Sequence, residues 1–226
     1  MVLEKAQQFF HPRALKKGDT VALVAPSFAF NRDKFDIGRA NFEKRYGVKT
    51  LILDTVFTRQ GYFSGSDERR LDELYHWLTD EQVQAVIGIR GGYGASRIYP
   101  ELIKKLKAVK NLKPKIVHGY SDFTVIINGL AQDLGWTTFH GPMICGRPFQ
   151  ETPDALEART FEEALFSTAP LAAITHADVK IINEGTARGR LAGGCLTLVS
   201  SSLATNFEID LKNRIVFLED VDEKPY

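Results

Sequence analysis

The chain has only two cysteines, Cys145 and Cys195, among 226 residues. Two thiols make no disulfide framework, and neither has the spacing of a metal ligand, so both read as small buried residues. Charge of one sign is also missing. Twenty-nine Lys and Arg stand against 28 Asp and Glu, a formal net charge of +1, so no basic field argues for nucleic acid. No apolar run approaches the length that spans a bilayer, and no membrane partner is expected. Residues 1–15 hold Phe9 and Phe10 but no long apolar core, which does not fit a secretory signal. The cytoplasm is the expected compartment. Internal repeats and low-complexity tracts are absent. What remains is 44% hydrophobic and 25% charged, the composition of an ordinary globular protein with one large or two small domains.

Apolar runs alternate with helical patterns along most of the chain. Strands are expected at 20–25, 49–53, 85–89, 115–117 and 137–139. A helix over 33–46 sets Phe35, Phe42 and Tyr46 on one face, with Gly47 as its stop. Ser66 caps a second helix, whose Leu71, Leu74, Tyr75 and Leu78 share a face. A third helix follows Gly94 and runs to Leu106, with Pro100 expected to bend or delay it. A fourth ends at Gly135. Sustained strand–helix alternation implies a parallel, doubly wound α/β sheet. Beyond residue 146 the pattern changes. Thr152-Pro153-Asp154 reads as a helix start with Pro153 in first position, and the helix runs to Phe166. Then come the apolar run 179–182, a glycine-bearing segment 189–194, a helix over 195–204 and a strand over 214–218. The expected division is an N-terminal domain at 1–145, a helical linker at 146–176 and part of a second domain at 177–226.

Ligands in such sheets sit at the carboxyl ends of the strands. Three loops belong on that rim: Pro26-Ser27, Arg90-Gly91-Gly92-Tyr93-Gly94, and Gly119-Tyr120-Ser121-Asp122. In the last, a strand turns at once into a helix. Such a turn lifts a serine hydroxyl above the sheet edge, beside the N–H groups that open the helix. Ser121 is read as a nucleophile and the Asp122 N–H as an oxyanion donor. The local sequence also fits a plain junction with Ser121 as helix cap; Phe123 stands where the usual elbow has a second glycine. Arg90 to Gly94 fits either an anion-binding turn or a tight turn. It has neither the P-loop spacing nor the dinucleotide pattern. Glu219 and Asp220, at a strand's end, either orient a histidine or solvate the strand. Of His11, His76, His118, His140 and His176, only His140 begins a rim loop and is entertained as a base.

These residues together resemble the LD-carboxypeptidases of peptidase family S66. The matching pieces are Leu15-Lys16-Lys17-Gly18-Asp19-Thr20, Val24-Ala25-Pro26-Ser27, Gly65-Ser66-Asp67-Glu68-Arg69 and Arg90 to Gly94. They continue with Gly119 to Asp122, Phe139-His140-Gly141-Pro142-Met143, the Gly193-Gly194 turn and Phe217-Leu218-Glu219-Asp220-Val221. The resemblance implies a flavodoxin-like N-terminal domain followed by a linker and the beginning of a smaller α/β domain. It implies Ser121 as nucleophile, the N–H groups of Gly92 and Asp122 as the oxyanion hole, and Glu219 orienting the general base. Arg90, Gly91 and Tyr93 would contact the substrate. The reaction would remove a terminal D-amino acid from a muropeptide in peptidoglycan recycling, through an acyl-enzyme, in a homodimer without metal or organic cofactor. Two alternatives stay open: hydrolysis of peptidyl or aminoacyl nucleotides, as in microcin immunity, or a non-catalytic peptide-binding remnant. In the family a catalytic histidine follows the Leu-Glu-Asp motif, whereas this sequence stops seven residues after Glu219. The expectation is a fragment or shortened product that lacks full activity alone.

Overall fold

The computed structural model describes residues 8–221. Strand β1 (Thr20–Val24) is followed by α1 (Arg32–Tyr46), with Asn31 accepting from the Lys34 N–H and Gly47 closing the helix in the left-handed region. Strand β2 (Lys49–Leu51) is shorter than the apolar run suggests, and a 3-10 turn at Asp54–Phe57 follows it. Helix α2 (Asp67–Thr79) starts at the Ser66 cap. Strand β3 (Ala85–Gly88) leads into α3 (Ala95–Lys107), which begins directly after Gly94 and runs on past Pro100. Pro100 therefore does not delay the helix. Strand β4 (Ile116–Gly119), α4 (Phe123–Leu134) and the two-residue β5 (Phe139–His140) complete the first layer.

The five strands pair in parallel in the order β2-β1-β3-β4-β5, the strand order of flavodoxin-like sheets. Successive residues of a strand face opposite layers. Ala22, Val24, Val86 and Val117 pack with Leu74, Leu102 and Ile126 of α2, α3 and α4. Val21, Leu23, Ile87 and Ile116 pack on the other side with Phe35 and Phe42 of α1.

A short helix, α5 (Arg147–Gln150), was not legible in the sequence; α6 (Ala155–Phe166) was. Asp154 caps α6 in a reciprocal pair with Glu157, so Pro153 lies before the cap rather than at the first helical position. Phe161 and Leu165 of α6 join the α1 side of the core. Phe161 meets Phe149 of α5 at 5.4 Å between ring centres. The run 179–182 forms no strand. Gly193 and Gly194 lie within a strand, β6 (Arg190–Cys195), rather than in a turn. Helix α7 (Leu196–Ser202) and β7 (Arg214–Glu219) follow, and β6 and β7 pair in parallel with Cys195 opposite Glu219.

This second sheet rests on α4. The Asn128 side chain donates to Gly193 O at 2.8 Å and accepts from Gly193 N–H at 3.2 Å. Thr124 Oγ1 accepts from Cys195 N–H at 3.1 Å. Gly194 sits at φ +134°, and a Cβ there would fall 2.6 Å from Thr124 Oγ1. Among the described residues no helix is long and apolar enough to cross a membrane.

Candidate active site

Ser121 stands between β4 and α4 with φ +58°, a left-handed conformation that a residue with a side chain adopts at a cost. The helix cap position belongs to Asp122, and no side chain closes it. The Ser121 carbonyl accepts from Thr124 N–H at 2.9 Å. Its hydroxyl has no hydrogen-bond partner among the described residues. The plain-cap alternative therefore does not describe this serine.

The glycine loop lies directly against it. A Cβ on Gly91 would fall 2.7 Å from Ser121 Oγ. Gly92 has φ +123° and carries the Phe28 ring where a side chain would be. Gly94 has φ +130° and presses on Arg70. Arg90 is exposed, and its Nη1 donates to Ala29 O at 2.8 Å. Tyr93 is exposed and meets Phe63 at 6.1 Å between ring centres.

Buried polar groups bind the three rim loops together. The Asp122 carboxylate is fully buried. Its Oδ2 accepts from Ser27 Oγ at 2.6 Å and from Ala95 N–H, at the start of α3, at 2.8 Å. Burial pushes this carboxyl above the usual range, and those two donors pull it back. Arg70, also fully buried, donates to the carbonyls of Pro26 and Gly94 and pairs with Asp67. Glu73 accepts from Ala25 N–H at 3.0 Å and faces Arg69 at 2.7 Å. Burial raises the Glu73 carboxyl to about 7.

The acidic pair at the end of β7 divides by strand alternation. Asp220 turns to α7, accepting from Thr197 N–H and Oγ1 at 3.2 Å each. Glu219 turns to the elbow. Burial and the neighbouring Asp220 raise its carboxyl, and the Ser121 backbone N–H lowers it again. Glu219 Oε1 lies 3.8 Å from His140 Nε2, and Oε1 and His140 Nδ1 are both buried without a hydrogen-bond partner among the described residues. Burial lowers the His140 pKa. His118 points into the sheet, with Nε2 3.0 Å from Pro142 O and a pKa lowered to about 4 by burial. Among the described residues no cluster of three or more His, Cys, Asp or Glu could hold a metal ion.

The fold thus brings Ser121, Gly91, Gly92, Asp122, Glu219 and His140 to one rim, with Arg90 and Tyr93 on its exposed side. Sequence reasoning placed Ser27 on the rim and Arg69 in a matching motif without giving either a role, and it missed Arg70, Glu73 and the Asp122 side chain. A signal was there: arginines in the first turn of α2 oppose the helix dipole, and Glu73 interrupts an apolar face.

The family model for the LD-carboxypeptidase N-terminal domain matches residues 21–141, and that for the C-terminal domain matches residues 188–226. A probable murein peptide carboxypeptidase of Bacillus subtilis (strain 168) is 34% identical, covering 96% of this chain and 67% of its own. A murein tetrapeptide carboxypeptidase of Pseudomonas aeruginosa is 28% identical, covering 91% and 67%. Among solved structures, an MccF-like protein from Bacillus anthracis superposes with a TM-score of 0.79 at 22% identity, over 93% of this chain and 70% of that one. A muramoyltetrapeptide carboxypeptidase from Oxalobacter formigenes gives 0.73 at 27% identity, over 92% and 67%. This chain spans about two thirds of the length of these relatives. On the matched domains and the B. subtilis relative, the chain belongs to the LD-carboxypeptidase family.

Proposed function

We propose that the rim site is that of a serine-type LD-carboxypeptidase, which hydrolyses the amide between an L-centre and a terminal D-amino acid of a murein tetrapeptide. Ser121 Oγ attacks the carbonyl carbon and gives its proton to a base. The carbonyl oxygen takes up negative charge facing the N–H groups of Gly92 and Asp122. The C–N bond breaks, the base returns the proton to the departing D-amino acid, and water then cleaves the acyl-enzyme. Glu219 orients the imidazole that serves as base. His140 stands 3.8 Å from Glu219, but no hydrogen bond links it to Ser121 Oγ among the described residues, so added imidazole can supply the base. The carboxypeptidase names of the B. subtilis, P. aeruginosa and O. formigenes relatives support the substrate class. The observation that carries the reading is Ser121 at φ +58°, its hydroxyl bare beside Gly91 and its N–H toward Glu219.

We read the enzyme further as a cytoplasmic homodimer of peptidoglycan recycling, with residues 1–145 as nucleophile domain, 146–176 as linker and 177–226 in the second domain. The test is D-alanine release from a murein tetrapeptide, with and without added imidazole, by this chain and its Ser121→Ala variant. Slow release that imidazole accelerates and Ser121→Ala abolishes is expected. Release indifferent to Ser121→Ala, or none under either condition, refutes the assignment. The Ser121→Ala variant should unfold within about 0.5 kcal/mol of the parent, because its hydroxyl holds nothing.

A further inference from the structure

Gly91 and Tyr120 belong both to the serine site and to a cavity of about 480 Å³ that opens beside it. Its charged walls are Lys34, from the first turn of α1, and Arg90; no acidic side chain lines it. Neither cation is neutralised. Lys34 Nζ has no ion pair or hydrogen bond among the described residues. Arg90 spends Nη1 on Ala29 O, and its other guanidinium nitrogens have no hydrogen bond among the described residues. Both charges reach the same wall. Burial pushes the Cys145 thiol up to about 11, and Arg90 and Lys34 each pull it back.

An exopeptidase needs more than a nucleophile. It must recognise that the chain ends one residue past the scissile bond. The only chemical mark of that end is a free carboxylate, and a cationic pocket adjoining the nucleophile reads it by charge-assisted hydrogen bonds. We propose that Lys34 and Arg90 form the subsite for the free C-terminal carboxylate of the peptide, so that the site accepts chain ends and rejects internal bonds. This rests on the peptidase reading of Ser121. It adds Lys34, which no motif of the sequence singled out.

The test is binding, which needs no hydrolysis. Calorimetric titration of the full chain carrying Ser121→Ala would compare a murein tetrapeptide with its C-terminal amide. The acid should bind about tenfold tighter than the amide, the effect of one charge-assisted contact. That preference should fall as ionic strength rises. Adding Lys34→Gln should cut the preference to about threefold or less; Lys34→Arg should restore it. Lys34 is exposed, so the thermal midpoint of each variant should match the parent and exclude misfolding. An unchanged preference in Lys34→Gln overturns the proposal. So does equal binding of acid and amide, or no measurable binding of either. Displacement of the peptide by adenosine monophosphate at equal concentration would assign the cations to phosphate instead. The D-alanine release assay judges the peptidase reading separately, so the two can fail independently.

Discussion

Replacing Asp122 tests whether one buried carboxylate holds the rim together. Its Oδ2 accepts from both Ser27 Oγ and Ala95 N–H, at 2.6 and 2.8 Å, while Oδ1 has no hydrogen-bond partner of good geometry among the described residues. Asp122→Ala removes the acceptor and leaves a buried hydroxyl and a helix N–H without partners. It also strips Arg70 of a nearby negative charge. Each charge-assisted bond is worth about 1.5–3 kcal/mol. The sum is about 3–6 kcal/mol of stability, which for a chain of this length lowers the melting temperature by roughly 10 °C or more. Asp122→Asn behaves differently, because its amide oxygen can take the Oδ2 place and serve both donors. The amide nitrogen then falls where Oδ1 had no partner. The charge and the pull of the Gly94 N–H on the carboxylate are lost, and the buried amide N–H gains no acceptor, for about 1–3 kcal/mol. Urea unfolding of the parent and both variants measures the difference. A loss below 1 kcal/mol in Asp122→Ala, or an Asn variant as damaged as the Ala one, refutes the idea that this oxygen couples the loops.

Two further outcomes follow from the same geometry. Gly91→Ala introduces a Cβ 2.7 Å from Ser121 Oγ and should displace the nucleophile, lowering kcat about 100-fold; kinetics like the parent's would show that Gly91 leaves the serine free. Glu73 is a buried acid with a carboxyl raised from 4.5 to about 7. A raised carboxyl stabilises the fold fully below pH 4.5, and that contribution is lost as pH rises through 7. Glu73→Gln should therefore flatten the decline of unfolding free energy between pH 5 and pH 8 by up to about 3 kcal/mol; a decline that persists in the variant assigns it to other groups.

The first layer was legible because its signals are local. Phe35, Phe42 and Tyr46 recur at helical spacing and are all buried. Gly47 and Gly135 stop helices in the left-handed conformation that only glycine adopts cheaply. The elbow was legible because an apolar run meets a helical pattern with no loop between. What escaped was non-local. Gly193 and Gly194 look like a turn, but they are the narrow part of a strand that lets the second sheet approach Thr124 and Asn128. The roles of Arg70 and Glu73 depend on carbonyls and amides of another loop, which no spacing along the chain announces. Glu219 and Asp220 are neighbours with opposite duties, and only the direction of β7 separates them.

Glu219 is carried by a two-stranded ribbon propped on the very helix whose first turn follows Ser121. The wide sheet beneath meets that acid only through His140 of β5 and the elbow that follows β4. Its aim is set by a small lever with its fulcrum at Thr124 and Asn128. Slippage at that fulcrum would silence the serine while every strand of the main layer stayed in register, so on warming, catalysis should fade before the molecule melts.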